Sequence, residues 1–159
     1  MNSQAQTVAV LPLMTDEPTS NLEDFLHSSL TEMNVVRMGL VGSELDAQQW
    51  IAVVCKRISE SGQAFQGVHL IAFGEAVDRL PDIAFAQRAS RRIIHSYTLI
   101  DFIPEKHFAE WPDAPVSVII TNPLSPIQQS AKLRGWEVQI IEPVDLPVAL
   151  AKTLQNFTI

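Results

Sequence analysis

Short apolar runs alternate with helix-like segments along the whole chain. The runs are rich in β-branched residues and end at turn-forming residues, as strands do when a parallel sheet is buried on both faces. The segments between them repeat apolar residues every three or four positions, which is the spacing of an amphipathic helix. This pattern predicts an α/β fold with three layers, in which a doubly wound, mainly parallel six-stranded sheet carries helices on both faces. Strands are predicted at residues 7–13, 35–41, 68–73, 93–100, 116–121 and 136–141.

The predicted helices occupy most of the connections and the final segment. The first follows Ser20, and the second starts at the S-x-x-D capping pattern that begins at Ser43 and stops at Gly62. The third is predicted to start near Asp78, as its N-cap, because Pro81 then falls in the first turn, where proline is tolerated. The last two are predicted at residues 126–134 and 146–157.

The carboxyl ends of the strands are where ligands bind in a sheet of this kind, because loops and helix N-termini converge there. Candidate binding and catalytic residues are therefore expected in the loops that follow the predicted strands. These loops comprise residues 12–19, 42–43, 73–78, 101–108, 121–126 and 142–145.

Length and charge narrow the classes of function. With 159 residues the chain fits one domain spanning residues 1–159, and no repeat, linker or low-complexity tract divides it. Its 18 acidic and 11 basic residues give a net charge of −7. That charge repels phosphate backbones, and the basic cluster of Arg88, Arg91 and Arg92 has no aromatic residue for base stacking. We therefore expect no nucleic-acid partner.

The sequence carries no membrane, secretion or metal-binding signal. No apolar stretch approaches the roughly 20 residues of a membrane-spanning helix. The first residues, MNSQAQTVAV, lack the basic n-region of a secretory signal, so a cytoplasmic protein without membrane contact is expected. Cys55 is the single cysteine, and no Cys/His cluster has the spacing of zinc ligands. No metal or other cofactor is predicted.

Six segments, in chain order, resemble strands of the α/β-hydrolase superfamily without its first strands and its lid. TVAVLPL is similar to the strand before the oxyanion-hole loop, and NVVRMGLVGS to the next strand with its glycine-containing exit. GVHLIAFGEA stands at the strand and nucleophile elbow, and RRIIHSYTLID at the following strand, which ends in Asp101. APVSVIITNPLSP and GWEVQIIEPVD resemble the strand of the catalytic acid and the last strand before the histidine loop. The resemblance covers most of the chain and implies the strand order 2-1-3-4-5-6.

The nucleophile elbow of the family has the pattern G-x-S-x-G, with the serine at a backbone φ above zero and small residues on either side. Ala72 and Ala76 keep the small flanking residues, and Gly74 stands where the serine would be. Glycine adopts a positive φ without steric cost, so the turn can persist although the nucleophile is absent. We therefore expect a positive φ at Gly74.

The other catalytic positions that the resemblance assigns are also altered. No carboxylate lies between residues 122 and 125, where the acid is expected, and no histidine lies between residues 142 and 146. The oxyanion loop reads Pro-Leu-Met at residues 12–14 instead of the usual His-Gly. The resemblance thus implies a non-catalytic protein that binds a small molecule or a partner protein. Separately, a homodimer is the expected oligomeric state. The expected binding residues are Met14, Phe73, Gly74, Glu75 and Asn122.

Two alternatives remain open from the sequence. A small serine-type esterase with relocated catalytic residues would use His107 and Asp101, with Ser125 or Thr121 as nucleophile, since triads are defined by geometry and not by chain order. A flavodoxin-like binding module is the other, because such folds share the order 2-1-3-4-5. Against the latter, the loop PLMTDEPTS after the first strand is acidic and contains no glycine to bind phosphate.

The remaining chemistry-bearing residues are expected to be structural. His69 and His95 lie within predicted strands and should pack in the core. Cys55, on the second predicted helix, should be a buried and unreactive thiol.

Trp111, Phe108 and Pro112 lie where family members insert a lid. We expect them to fold over the carboxyl edge of the sheet, and the alternative is an exposed apolar patch used for association. With so short a connection, any pocket beneath it should be shallow.

Overall fold

A computed structural model of the chain describes residues 6–12, 19–39, 41, 44–61, 67–103 and 111–156. The strands are β1 (Thr7–Val10), β2 (Asn34–Val35), β3 (Val68–Phe73), β4 (Ile94–Ile100), β5 (Val116–Ile120) and β6 (Glu137–Ile140). The α-helices are α1 (Ser20–Ser29), α2 (Ala47–Ser61), α3 (Leu80–Ala89), α4 (Ile127–Leu133) and α5 (Leu146–Gln155). Two 3-10 helices, Gly74–Arg79 and Pro143–Asp145, precede α3 and α5.

The six strands form a parallel sheet in the order β2-β1-β3-β4-β5-β6, which confirms the predicted fold class and strand order. In the middle of the sheet, Leu70 of β3 pairs with Ala9 of β1 on one side and with Tyr97 of β4 on the other. The register of β3 against β4 shifts between Val68, which pairs with Ile94, and His69, which pairs with Ser96.

Each face of the sheet carries its own apolar cluster. On one face, α2, α3 and α4 pack against residues such as Leu70, Ala72 and Leu99. On the other face, α1 and α5 pack against residues that include Ile71 and Ile100. Successive strand residues thus enter opposite clusters, as the pleat requires, and both faces of the central strands are buried.

Strand β2 is shorter than predicted, ending at Val35 instead of residue 41. Val36 still donates its N–H to Val8 of β1 at 2.9 Å, but the chain then leaves the sheet. At Met38 the N–H goes to the Glu23 carboxylate of α1 at 3.1 Å, and the carbonyl accepts a hydrogen bond from the Arg57 guanidinium of α2. The backbone N–H and carbonyl of Met38 would pair with β1 in a longer strand, and here they bond instead to side chains of helices on both faces of the sheet.

The helix starts differ from the predicted caps. At α2, Asp46 Oδ1 accepts the N–H of Gln49 at 2.8 Å and Gln49 Oε1 accepts the N–H of Asp46 at 3.1 Å, so the capping box lies three residues beyond the predicted one. At α3, the N-cap is Arg79, and Asp78 lies in the preceding 3-10 helix. Pro81 does fall in the first turn of α3, as predicted.

Trp111 packs on the opposite edge of the sheet from the one predicted. It precedes β5 and makes edge-on contacts with Tyr97 and with Trp136, which precedes β6, so it lies toward the amino ends of these strands. The Tyr97 hydroxyl donates to Asp113, which also bonds Arg88 of α3 at 3.1 Å. Burial, with the adjacent Asp113 carboxylate, raises the pKa of Tyr97. This cluster joins α3 to the connection before β5, away from the candidate binding edge.

Among the described residues, no helix is both long enough and apolar enough to cross a membrane.

Candidate functional site

In a parallel sheet of this strand order, a ligand-binding crevice is expected at the carboxyl ends of β1 and β3. From β1 the chain continues to β2 on one side of the sheet, and from β3 it continues to β4 on the other. Loops that leave neighbouring strands in opposite directions open a gap between them, and ligands of doubly wound sheets bind at this switch point. Leu11 and Pro12 follow β1, and Gly74 and Glu75 follow β3, so these residues border the crevice.

Gly74 occupies the tip of a sharp turn between β3 and the first 3-10 helix. Its φ is +51°, which confirms the predicted positive value. The flanking Ala72 and Ala76 are both fully buried, so larger side chains there would collide with the packed core. A Cβ atom added at Gly74 would meet no atom of the described chain within 4 Å. Within the described residues, nothing covers the backbone at the tip of this turn.

Two side chains flank this bare tip. Phe73 is half-buried and packs against the apolar cluster on the α1 and α5 face. Glu75 is exposed in the first turn of the 3-10 helix. The tip thus presents an aromatic ring, an uncovered peptide and a carboxylate within three consecutive residues, a mixture of apolar and polar groups that is typical of binding sites.

The Asp101 carboxylate, just after the end of β4, hydrogen-bonds to the residue that follows the neighbouring strand β5. Its Oδ1 accepts the N–H of Thr121 at 2.6 Å, and its Oδ2 accepts the Thr121 hydroxyl at 2.5 Å. Its own N–H donates to Ile119 at 2.9 Å, and its φ is +58°, an uncommon value for a residue with a side chain. The carboxylate therefore joins the ends of β4 and β5.

Asn122 and Ser125 are held by the turn that leads into α4. The Asn122 side-chain oxygen accepts a hydrogen bond from the N–H of Leu124 at 3.1 Å. The backbone carbonyl of Asn122 accepts one from the N–H of Ser125 at 3.0 Å. The Ser125 hydroxyl oxygen accepts the N–H of Ile127 at 3.3 Å. Asp101 and Ser125 thus bond to different partners and not to each other. The third member of the relocated triad, His107, lies outside the described residues, as do Met14 and Phe108.

The two hydrogen bonds that the Asp101 carboxylate accepts from Thr121 lead to a stability prediction. We expect Asp101→Ala to lower the free energy of unfolding by about 1–2 kcal/mol, because both acceptors are lost and alanine is strained at a positive φ. Asp101→Asn should cost less than about 1 kcal/mol, since asparagine tolerates this φ and keeps one acceptor. Urea unfolding of both variants measures the difference; equal losses would contradict the assigned role of the carboxylate.

The other candidate residues lie away from the crevice. His69 is fully buried near the amino end of β3, with Nδ1 2.7 Å from Ser96 Oγ and Nε2 2.7 Å from Gln6 Oε1. The predicted core location of His69 is therefore confirmed, and the half-buried ring of His95 lies 5.3 Å from it. Burial raises the pKa of the half-buried Cys55 thiol, which agrees with the expected low reactivity.

One buried carboxylate was missed in the sequence. Glu23 of α1 is 2% exposed, and its Oε2 accepts hydrogen bonds from the Thr19 hydroxyl and the Met38 N–H, each at 3.1 Å. The spacing of the sequence does indicate its burial. Glu23 precedes the core residues Leu26 and Leu30 by three and seven positions, so it lies on the apolar face of α1.

Within the parts of the chain described, no group of three His, Cys, Asp or Glu side chains is arranged to hold a metal ion. Neither a protein-family model nor a curated protein matches this sequence.

Proposed function

We propose that this chain is a non-catalytic, α/β-hydrolase-like protein that binds a small molecule or a partner protein at the switch-point crevice. The observation that carries the proposal is Gly74, at the tip of the strand-turn-helix, which has a φ of +51° and no atom of the described residues within 4 Å of an added Cβ. A hydrolase of that family places its nucleophile at this backbone position. Here the position offers room for a ligand and no group to attack it.

The polar groups near the crevice support binding over catalysis. A general base must lie within about 3 Å of the proton that it removes, or be joined to it by one water. The Asp101 carboxylate bonds the Thr121 hydroxyl directly, without an intervening imidazole among the described residues. The Ser125 hydroxyl oxygen, just before α4, accepts a hydrogen bond from the N–H of Ile127 in the first turn of that helix. Both groups have structural roles that account for their positions.

Residues 73–75 and Asn122 are the binding determinants in this proposal. The Phe73 ring supplies apolar contact, the exposed Glu75 carboxylate accepts donors, and the exposed Asn122 side chain offers an amide to the same edge of the sheet. A ligand with an apolar body and one or more hydrogen-bond donors would match these groups.

Purified protein should not hydrolyse p-nitrophenyl esters above the rate of a buffer blank. Loss of a triad nucleophile alone costs about a millionfold in rate, so even Gly74→Ser, which restores a hydroxyl without its partners, should stay at the blank. Assays with p-nitrophenyl acetate and butyrate measure this. Turnover that co-purifies with the protein and disappears in Ser125→Ala or His107→Ala would overturn the proposal in favour of a relocated triad.

Binding is tested by thermal-shift screening of a metabolite panel against the wild type and against Gly74→Asn. Asparagine tolerates a positive φ, so the variant should fold while its side chain fills the space above the turn. Gly135→Asn is the matched control, because Gly135 also has a positive φ, +74°, and no atom of the described part of the chain within 4 Å of an added Cβ. A compound that stabilises the wild type and the control but not Gly74→Asn supports the crevice; equal stabilisation of all three places binding elsewhere.

A flavodoxin-like function is the second candidate, because the observed parallel order contains the flavodoxin order 2-1-3-4-5. This function requires a flavin bound at the carboxyl edge of the sheet. The visible absorbance of that flavin would appear in freshly purified protein. Colourless protein that also fails to take up added riboflavin phosphate would remove this candidate.

A further inference from the structure

Strand β6 forms an edge of the sheet with exposed apolar residues. In the part of the chain that the structure describes, β6 pairs with β5 alone. Natural edge strands are usually protected by proline, lysine or a bulge, because their free N–H and C=O groups attract other strands. The segment Trp136–Ile141 reads WEVQII and contains neither proline nor lysine. Ile140 is 44% exposed although it lies in the sheet.

The backbone of β6 presents polar groups outward at alternate residues. Ile141 donates its N–H to Ile120 of β5 at 2.9 Å, so the odd-numbered residues direct their peptide groups toward β5. Val138 and Ile140 therefore direct theirs away from the sheet. The extended backbone continues to Glu142, whose φ and ψ are −72° and 145°. A second strand can thus add along the length of β6.

The two ends of β6 carry opposite charges. At the amino end, the Arg134 guanidinium lies over the Trp136 ring, 5.0 Å from its centre, and Lys132 is close by in the sequence. At the carboxyl end, Glu142 and Asp145 are exposed. An antiparallel partner of the same sequence brings each basic end against an acidic end, whereas a parallel partner brings like charges together.

We propose that β6 pairs antiparallel with β6 of a second copy of this chain, joining the two sheets across a twofold axis at Val138. In this register Val138 faces Val138, and Trp136 faces Ile140 of the second copy. The Val138 N–H groups of the two copies then donate to each other's Val138 carbonyls. Each Ile140 N–H donates to the Trp136 carbonyl of the other copy, while the Trp136 N–H stays bonded to Ala131. Such an isologous contact closes after two copies, so it does not propagate into fibres.

The side chains match in this register as well as the backbone. Trp136 and Val138 both pack against the cluster beneath α4, so by alternation Ile140 and Glu142 lie on the same side of the strand. Pairing covers the exposed Ile140 with the Trp136 ring and brings Glu142 beside the Arg134 guanidinium that lies over that ring. Shifting the twofold axis to a neighbouring position separates these charges. The interface is independent of the Gly74 crevice, because β4 and β5 lie between β3 and β6.

Charge reversal tests the interface in the full chain. Light scattering behind size-exclusion chromatography, from about 1 to 100 µM protein, should show a dimer that dissociates on dilution. Arg134→Glu and Glu142→Arg should each weaken the dimer about tenfold or more, and the double variant Arg134→Glu/Glu142→Arg should restore it. Lys152→Glu, the same change on the exposed face of α5, should leave the dimer intact.

The apolar contact gives a second, independent variant. Ile140→Lys should abolish the dimer, because it places a charge against Trp136 of the second copy, whereas Phe85→Lys at another exposed apolar residue should not. Circular dichroism melting separates dissociation from unfolding in each variant. A monomeric wild type at the highest concentration overturns the proposal. So does a dimer that survives both Arg134→Glu and Ile140→Lys, since it must use a different surface.

Discussion

Acidification from pH 7 to pH 4 is expected to remove about 3 kcal/mol of folding stability through one buried side chain, His69. Burial in the folded protein, together with the neighbouring charge of His95, lowers the pKa of His69 from the ordinary 6.5 to about 4. The fully buried ring is held between Ser96 and Gln6. A protonated imidazole has no solvent there to stabilise its charge.

The sign follows from proton binding. Between pH 6.5 and pH 4 the unfolded chain binds a proton at this histidine and the folded chain does not, so falling pH favours unfolding. The contribution of His69 is complete above pH 6.5 and is lost as the pH approaches 4. The free energy of unfolding, measured by urea titration at several pH values, should fall steadily across this window.

Two variants identify the responsible histidine. His69→Gln should be less stable than the wild type at pH 7, because it fits the Ser96 and Gln6 contacts less well, but its stability should fall much less between pH 6.5 and pH 4. His27→Gln removes an exposed histidine on α1 and should leave the wild-type slope unchanged. A wild-type slope in His69→Gln would show that another group causes the acid sensitivity.

Strand β3 shows why much of the fold could be predicted from the sequence. Its observed bounds, Val68–Phe73, match the prediction, because the apolar run lies between Gly67 and Gly74. Both glycines have positive φ, at +71° and +51°, so the strand ends where the local sequence allows the chain to turn. Burial on both faces then requires helices on both sides, which fixes the layers.

Strand β2 shows where local patterns fail. The segment VVRMGLV is apolar enough for a full strand, yet Met38 is bound by Glu23 and Arg57 from helices distant in sequence. In the candidate site, too, some features follow from the local sequence and others depend on contacts between distant segments. A positive φ at Gly74 is predicted locally, because a glycine between small residues ends an apolar run, but the hydrogen bonding of Asp101 to Thr121 depends on the register of β4 against β5. No local spacing encodes that register.

Glu23→Ala is expected to destabilise the protein by about 3 kcal/mol, because it leaves two buried donors without their acceptor. These donors are the Thr19 hydroxyl and the Met38 N–H, which Glu23 joins across α1 and the segment after β2. Met38 is fully buried, so water cannot readily replace the carboxylate. Urea unfolding at neutral pH measures the loss.

Two neighbouring substitutions show whether the loss comes from these hydrogen bonds. Glu23→Gln retains a carbonyl acceptor at the same position and should cost less than half as much as Glu23→Ala. Asp24→Ala removes the adjacent acid, whose ion pair with Arg37 is exposed, and such pairs contribute about 0–1 kcal/mol. If Glu23→Ala and Asp24→Ala were equally mild, the segment after β2 would not depend on Glu23, and α1 would be held by its apolar contacts alone. If only Glu23→Ala is severe, one carboxylate determines where β2 ends and the chain leaves the sheet.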